Sequence, residues 1–213
     1  SVAIKTKPSM SRVRENGSEF KTCMTSVKHF KLSLQPIIYQ IKDTLLHQRL
    51  VQLFTKIKLL DTVSVRGERT VGIGLQNEAG KKLLNRYVLT SGNSLDAVLR
   101  QGFEVDWSVA GFRIAAFDLA AVRFPKGATH VLLEAGYLVF DFTTFTYVFS
   151  KSERAMLSKH APTAPLELGV SQLPSGAGTK TTVVFLQFMQ EVNGTMYPMK
   201  EVNSRVLEVV YVD

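Results

Sequence analysis

The chain has 213 residues, carries 26 Lys+Arg against 18 Asp+Glu for a net charge of +8, and is 45% hydrophobic. A polymer this apolar buries enough surface to offset its conformational entropy, which excludes a disordered chain, and 14 Gly with 7 Pro exclude a collagen-like one. The single cysteine, Cys23, excludes an internal disulfide framework and a Cys-based zinc knuckle, and no apolar run is long enough to span a bilayer.

The charge is uneven along the chain. Residues 1–60 hold eleven Lys/Arg and three acids, whereas residues 61–213 are neutral. Such asymmetry points to a basic arm or helix face with an anionic partner, or to a solvated helix face. Residues 1–15 mix Val2 and Ile4 with Lys5, Lys7, Pro8, Arg12 and Arg14 and read as an extended basic arm. Val2, Ile4 and Thr6 alternate with Ala3, Lys5 and Lys7, a pattern that can add as a strand to a neighbour's sheet. The start at Ser1 lacks the apolar core of a secretory signal, which favours cytoplasmic synthesis unless a leader has been removed.

Residues 16–60 read as helices. Asn16-Gly17-Ser18-Glu19 offers a start signal, with Asn16 or Ser18 as N-cap. Phe20, Cys23/Met24, Val27, Phe30, Leu34, Ile37/Ile38 and Ile41 then form one apolar stripe at helical spacing. Pro36 should kink or break that helix about one turn back. Asp43-Thr44 caps a second helix whose stripe is Leu46, Leu50, Leu53/Phe54, Ile57 and Leu60, and whose polar side is basic. A short connection implies an antiparallel pair. Cys23 lies on the first stripe and reads as a buried small hydrophobe.

Residues 61–102 are a connecting segment with weak signals. Residues 71–75, Val-Gly-Ile-Gly-Leu, suggest an irregular strand, and 83–89 and 95–99 suit either a short helix or a strand. Beyond Gly102 the period becomes two. Phe103, Val105, Trp107 and Val109 alternate with polar residues; 112–124 reads as one or two strands; 131–142 is a long apolar run suited to a central strand, followed by alternation at Phe145, Tyr147 and Phe149. Residues 166–170 and 206–212 add strands, and 183–192 and 196–199 flank Asn193-Gly194, a strong hairpin signal because both turn positions need positive φ. The whole implies an α+β fold, with a helical hairpin packed on or beside an antiparallel β-sandwich or barrel-like body at 103–213.

No motif supplies chemistry. Residues 175–182, Ser-Gly-Ala-Gly-Thr-Lys-Thr-Thr, look like a phosphate-binding loop, but Thr179 separates Gly178 from Lys180 and a strand pattern follows where a helix is needed. His29, His47, His130 and His160 never fall at metal-ligand spacing, and Ser158-Lys159-His160 lacks a nucleophile elbow. Glu134 and Asp141 fall on opposite faces of one strand run. Asn193-Gly194-Thr195 matches the glycosylation sequon, which the hairpin turn explains without sugar. Phe140, Phe142, Phe145, Tyr147 and Phe149 resemble a base-stacking platform, yet no basic residue interleaves them, so core packing is the reading. No catalytic residue, cofactor site or metal site is assigned.

Several blocks resemble a family of Bacteroidetes proteins of similar length: 16–20 (Asn-Gly-Ser-Glu-Phe), 66–69 (Arg-Gly-Glu-Arg), 102–104 (Gly-Phe-Glu), 124–130 (Phe-Pro-Lys-Gly-Ala-Thr-His) and 190–200 (Gln-Glu-Val-Asn-Gly-Thr-Met-Tyr-Pro-Met-Lys). That resemblance implies a basic helical N-terminus on a β-rich body and no known activity. The expectation is a non-enzymatic structural or interaction protein, a homo-oligomer assembling through its arm (Val2, Ile4, Thr6) and helices. The alternative is a nucleic-acid or anionic-surface binder contacting anions through Lys5, Lys7, Arg12, Arg14, Lys21, Lys28, Lys31, Arg49 and Lys56.

Overall fold

The structure, a computed structural model, describes residues 8–41, 43–109 and 111–213. The expected helical stripe continues through a long helix, α1 (Ser11–Ser33), entered by a single 3₁₀ turn at Pro8–Met10. The described part of the expected arm is therefore helical, and Asn16 lies inside α1 instead of capping it. Distant partners explain the shift. Glu15 pairs with Arg66 at 3.3 Å, and the Asn16 side-chain oxygen accepts from Arg66 at 3.4 Å, so a loop fifty residues on holds the first turns in place. Pro36 breaks the helix as its missing donor requires, and a short α2 (Gln35–Ile38) follows. The next helix, α3 (Leu46–Lys58), begins after an Asx turn in which the Asp43 carboxylate accepts from the Leu45 N–H at 2.9 Å.

Glu19 meets Lys58 and Cys23 lies beside Thr55, so α1 and α3 run antiparallel as the short connection implies. Their shared apolar face, including Val27, Phe30, Leu50, Phe54 and Ile57, is fully buried. Phe20 is the exception: it is 55% exposed, because Glu19 and Cys23 occupy the inward arc and the next position turns about 100° away.

The connecting segment is three short helices, α4 (Val71–Gly74), α5 (Glu78–Leu84) and α6 (Leu95–Leu99), each capped by a side-chain oxygen from Thr70, Asn77 and Ser94 respectively. The strand expected at 71–75 is thus a helical turn, and its glycines serve close backbone packing. A Cβ on Gly74 would sit 2.1 Å from the Ile57 carbonyl oxygen, and one on Gly80 would sit 1.9 Å from that of Gly74.

Nine strands follow among the described residues: β1 (Glu104–Asp106), β2 (Gly111–Phe117), β3 (His130–Phe140), β4 (Tyr147–Lys151), β5 (Ala155–Ser158), β6 (Ala164–Gly169), β7 (Thr179–Val192), β8 (Thr195–Pro198) and β9 (Arg205–Val212). All pairings between them are antiparallel. The small sheet has the order β1-β2-β6. In the large sheet β3 and β7 pair centrally, β4 and β5 share the outer side of β3, and β8 and β9 share the outer side of β7. The β7–β8 hairpin turns on Asn193 and Gly194 with φ of 50° and 78°, the conformation that made this dipeptide legible.

The molecule is layered: helices, large sheet, small sheet. On β3, Leu132, Leu138 and Phe140 join the core under the helices, whereas Val131, Leu133, Ala135 and Tyr137 join the core under the small sheet. Burial on both faces is why 131–142 reads as an unbroken apolar run and not as an alternating one. The fold is α+β, a helical hairpin packed on an antiparallel β-sandwich, and the helical stripe is buried within the chain.

Tyr137 ties the two sheets. Its buried hydroxyl accepts from the Phe112 N–H at 2.8 Å and donates to the Leu168 carbonyl, and burial pushes the phenol up to about 12. Replacing Tyr137 by Phe leaves the Phe112 N–H and the Leu168 carbonyl without that partner. The expected cost is about 1–3 kcal/mol, read as a lower urea midpoint at unchanged slope. An unchanged midpoint would mean that the hydroxyl contributes nothing to the union of the sheets.

Candidate functional site

The buried ionisable groups are engaged in structural work. The Glu19 carboxylate, 2% exposed, accepts from Arg69 at 2.7 and 3.0 Å, from Lys58 at 2.8 Å and from the Gly67 N–H at 2.9 Å. Asp61 accepts from the N–H groups of Val63, Ser64 and Thr70 and folds the loop after α3. Glu134 is held by Gln40, Lys151 and Arg154 at the edge of β3. Glu208 takes the Leu95 N–H at 2.6 Å; burial pushes its carboxyl up, against the pull of that N–H and of Arg86. Burial also raises the Cys23 thiol, which is 1% exposed and lies 3.7 Å from the Thr55 hydroxyl, so it is the packed hydrophobe its position in the stripe implied.

The clefts offer little chemistry. One of about 480 Å³ lies between α4, the β3–β4 turn and the loop before β7. The loop that looked phosphate-binding lines it, but its charged neighbours, Lys81, Asp141 and Asp213, are already engaged: Lys81 with Asp213 at 3.5 Å, and Asp141 with the N–H groups of Thr143 and Thr144. Among the described residues no three His, Cys, Asp or Glu are placed to hold a metal ion. His29 stacks on Phe145, and His130 bonds Thr129. Of the aromatic run, Phe140 and Phe142 are buried against Phe30 and Phe54, and Phe145 and Phe149 pack at the margin of that core, so this is packing and not a stacking platform.

The surface of the helical layer is different. Arg14, Lys21 and Lys28 recur every seven residues along the outward side of α1, all exposed, with Arg12 exposed near its start and Lys56 exposed on α3. Lys31 is half-buried. Arg49 departs from the expected anion-contact set, since its guanidinium is directed to Asp43 at 3.0 Å and to the Leu89 carbonyl at 2.7 Å. Val2, Ile4, Thr6, Lys5 and Lys7 lie outside the described residues. All three acids of residues 1–60 are drawn into internal pairs: Glu15 with Arg66, Glu19 with Lys58 and Arg69, Asp43 with Arg49. Arg12, Lys21, Lys28 and Lys56, by contrast, have no carboxylate within ion-pair distance among the described residues.

A shallow apolar groove runs through this basic face, lined by Phe20, Lys21, Met24, Thr25, Lys28 and His47. Lys21 and Lys28 fall off the apolar stripe already in the sequence, whereas Arg14, expected in an extended arm, joins their row only because the helix begins at Ser11. The groove was not readable there, because helical periodicity assigned Phe20 to the core. No helix among the described residues is long and apolar enough to cross a membrane. No family model matches the chain, and neither a curated protein nor a solved structure matches it.

Proposed function

We propose that this protein is a non-enzymatic structural or interaction protein that assembles with copies of itself, docking through the outer face of its helical layer. The observation that carries the reading is the exposed pair Lys21 and Lys28 beside the exposed Phe20, on a face from which the neighbouring carboxylates are withdrawn into internal pairs. Large exposed aromatics rimmed by unneutralised cations mark interaction surfaces, because they leave both apolar contact and charge unsatisfied. The arm would contribute by strand addition. A suitable acceptor is β4, an edge strand on which Tyr147 and Val148 are 41% and 48% exposed.

Sedimentation velocity over a hundredfold concentration range tests this. The expected result is a mass that rises with concentration at low salt, falls as salt screens the charges, and drops toward the monomer in Lys21→Glu/Lys28→Glu. A monomer at every concentration removes the reading. The same acid-free face also supports a second one, a nucleic-acid or anionic-surface binder. A monomer that binds mixed-sequence RNA or DNA with a steep linear fall of log K against log salt would establish that reading instead.

A further inference from the structure

We infer that the basic helical face docks on the outer face of the small sheet of a second copy, so that copies stack head to tail; this rests on the self-assembly reading above. A face that is basic and short of acids repels its own image, so a symmetric contact of helical face on helical face is disfavoured and the partner surface must be acidic. The chain carries such a surface on its opposite side. The inner side chains of the small sheet, Phe112, Ile114, Leu166 and Leu168, are buried against the large sheet, which leaves Glu104, Asp106, Arg113 and Glu167 exposed on the outer side. Register brings them together: Glu104 pairs with Arg113 across β1–β2, and Arg113 with Glu167 across β2–β6. Arg113 is engaged by Glu104 at 2.9 Å, whereas Asp106 and Glu167 have no Lys or Arg within ion-pair distance among the described residues. Three carboxylates against one guanidinium leave this face negative.

Shape agrees with charge. The next row of the sheet sets Asp106 beside Gly111 and Gly169, and the two glycines, lacking side chains, leave a trough of about 410 Å³ lined also by Val109, which is 75% exposed. That trough has room for one aromatic ring. Phe20, half-exposed on a helix that presents Lys21 and Lys28 beside it, is the complementary ridge. Seating Phe20 in the trough sets the lysines against Asp106 and Glu167. The two surfaces lie on opposite sides of the layered molecule, so the contact is heterologous and each copy keeps a free face of each kind: chains grow and do not close as symmetric dimers. Three strands spaced about 4.8 Å apart make a narrow platform, so the association is weak, salt-sensitive and concentration-dependent.

Five proteins spanning residues 1–213 decide it by sedimentation velocity at low salt: wild type, Lys21→Glu/Lys28→Glu, Asp106→Lys/Glu167→Lys, the chain carrying all four changes, and Glu167→Lys alone. Each two-site variant alone should associate at least tenfold more weakly than wild type. Assembly should return in the four-site chain and in an equimolar mixture of the two variants, because both restore opposite signs across the contact. Asp106 also accepts from the Ser108 N–H and hydroxyl at 2.7 Å, so Glu167→Lys alone, at which no side-chain hydrogen bond is at stake among the described residues, is the variant that keeps the test clear of folding effects. It too should weaken association several-fold. If wild type assembles and the lysine variants do not, while Glu167→Lys and Asp106→Lys/Glu167→Lys assemble normally, the helical face docks elsewhere: this inference falls and the proposed function stands. If wild type is monomeric throughout, both fall.

Discussion

Phe30→Asp is expected to abolish the folded state of the whole chain, and not merely to loosen its helices. Phe30 has no solvent exposure, and its ring lies 5.3 Å from Phe54, 5.8 Å from Phe140 and 6.1 Å from Phe142, so it joins α1 to α3 and both to the end of β3. Truncating a buried Phe costs about 3–5 kcal/mol through lost contacts and the cavity left behind. An aspartate there adds a carboxylate with no donor in an aromatic cluster, several kcal/mol more whether it stays charged or takes up a proton. A domain has about 5–15 kcal/mol to lose. Trp107 supplies the readout, because it sits under the other face of the large sheet, donating to the Thr182 hydroxyl at 2.9 Å and lying 6.0 Å from the Tyr137 ring. Loss of its native emission in Phe30→Asp, with Phe30→Ala unfolding cooperatively at a lower urea midpoint, would show that helices and β body form one unit. Native Trp107 emission in a chain whose helical signal is lost would show two units.

Phe30 was legible as core because the helical period and the burial agree at its position; Phe20, ten residues earlier, was not. The stripe that holds Phe30 also predicts Phe20 inside, and only the structure shows Glu19 taking that arc for an ion-pair cluster with residues about forty and fifty positions away. Nonlocal partners explain the other differences too. Asn16-Gly17-Ser18 has the chemistry of a helix start, yet Glu15 and Arg66 hold the helix together upstream of it. Val71-Gly72-Ile73-Gly74 has the look of a strand with a flexible end, but the Thr70 cap and the approach of the Ile57 carbonyl make it a helical turn. Strand β5 was missed because it is four residues long and only partly buried. Where the signal is local, as in Pro36, Asn193-Gly194 or the doubly buried β3, sequence and structure agree. The candidate surface divides along the same line. Its lysines follow from one helix, whereas the acidic face opposite is assembled from Glu104, Asp106 and Glu167, which meet only through the register of β1, β2 and β6.

Glu19→Gln is expected to lower stability by about 3–5 kcal/mol at pH 7, the range for removing one partner of a buried pair, since it removes the carboxylate that pairs with both the Lys58 ammonium and the Arg69 guanidinium. The pH dependence identifies the source. The Arg69 side chain, then Lys58 and the Gly67 N–H, outweigh burial and hold the Glu19 carboxyl at about 2, against an ordinary value of 4.5. A carboxyl depressed in the folded state stabilises fully above its unfolded value, and that contribution is lost as pH falls through the folded one. Here the window runs from about 4.5 down to about 2, and a shift of that size corresponds to roughly 3 kcal/mol. Urea unfolding followed from pH 7 to pH 2 should therefore show wild type losing its advantage over Glu19→Gln across this window, with the two curves converging at the acid end. Other carboxylates held low, Asp43 and Asp61 among them, titrate in both proteins and cancel in the difference. A difference that stays constant from pH 7 to pH 2 would place the stabilisation in packing around residue 19 and not in its charge.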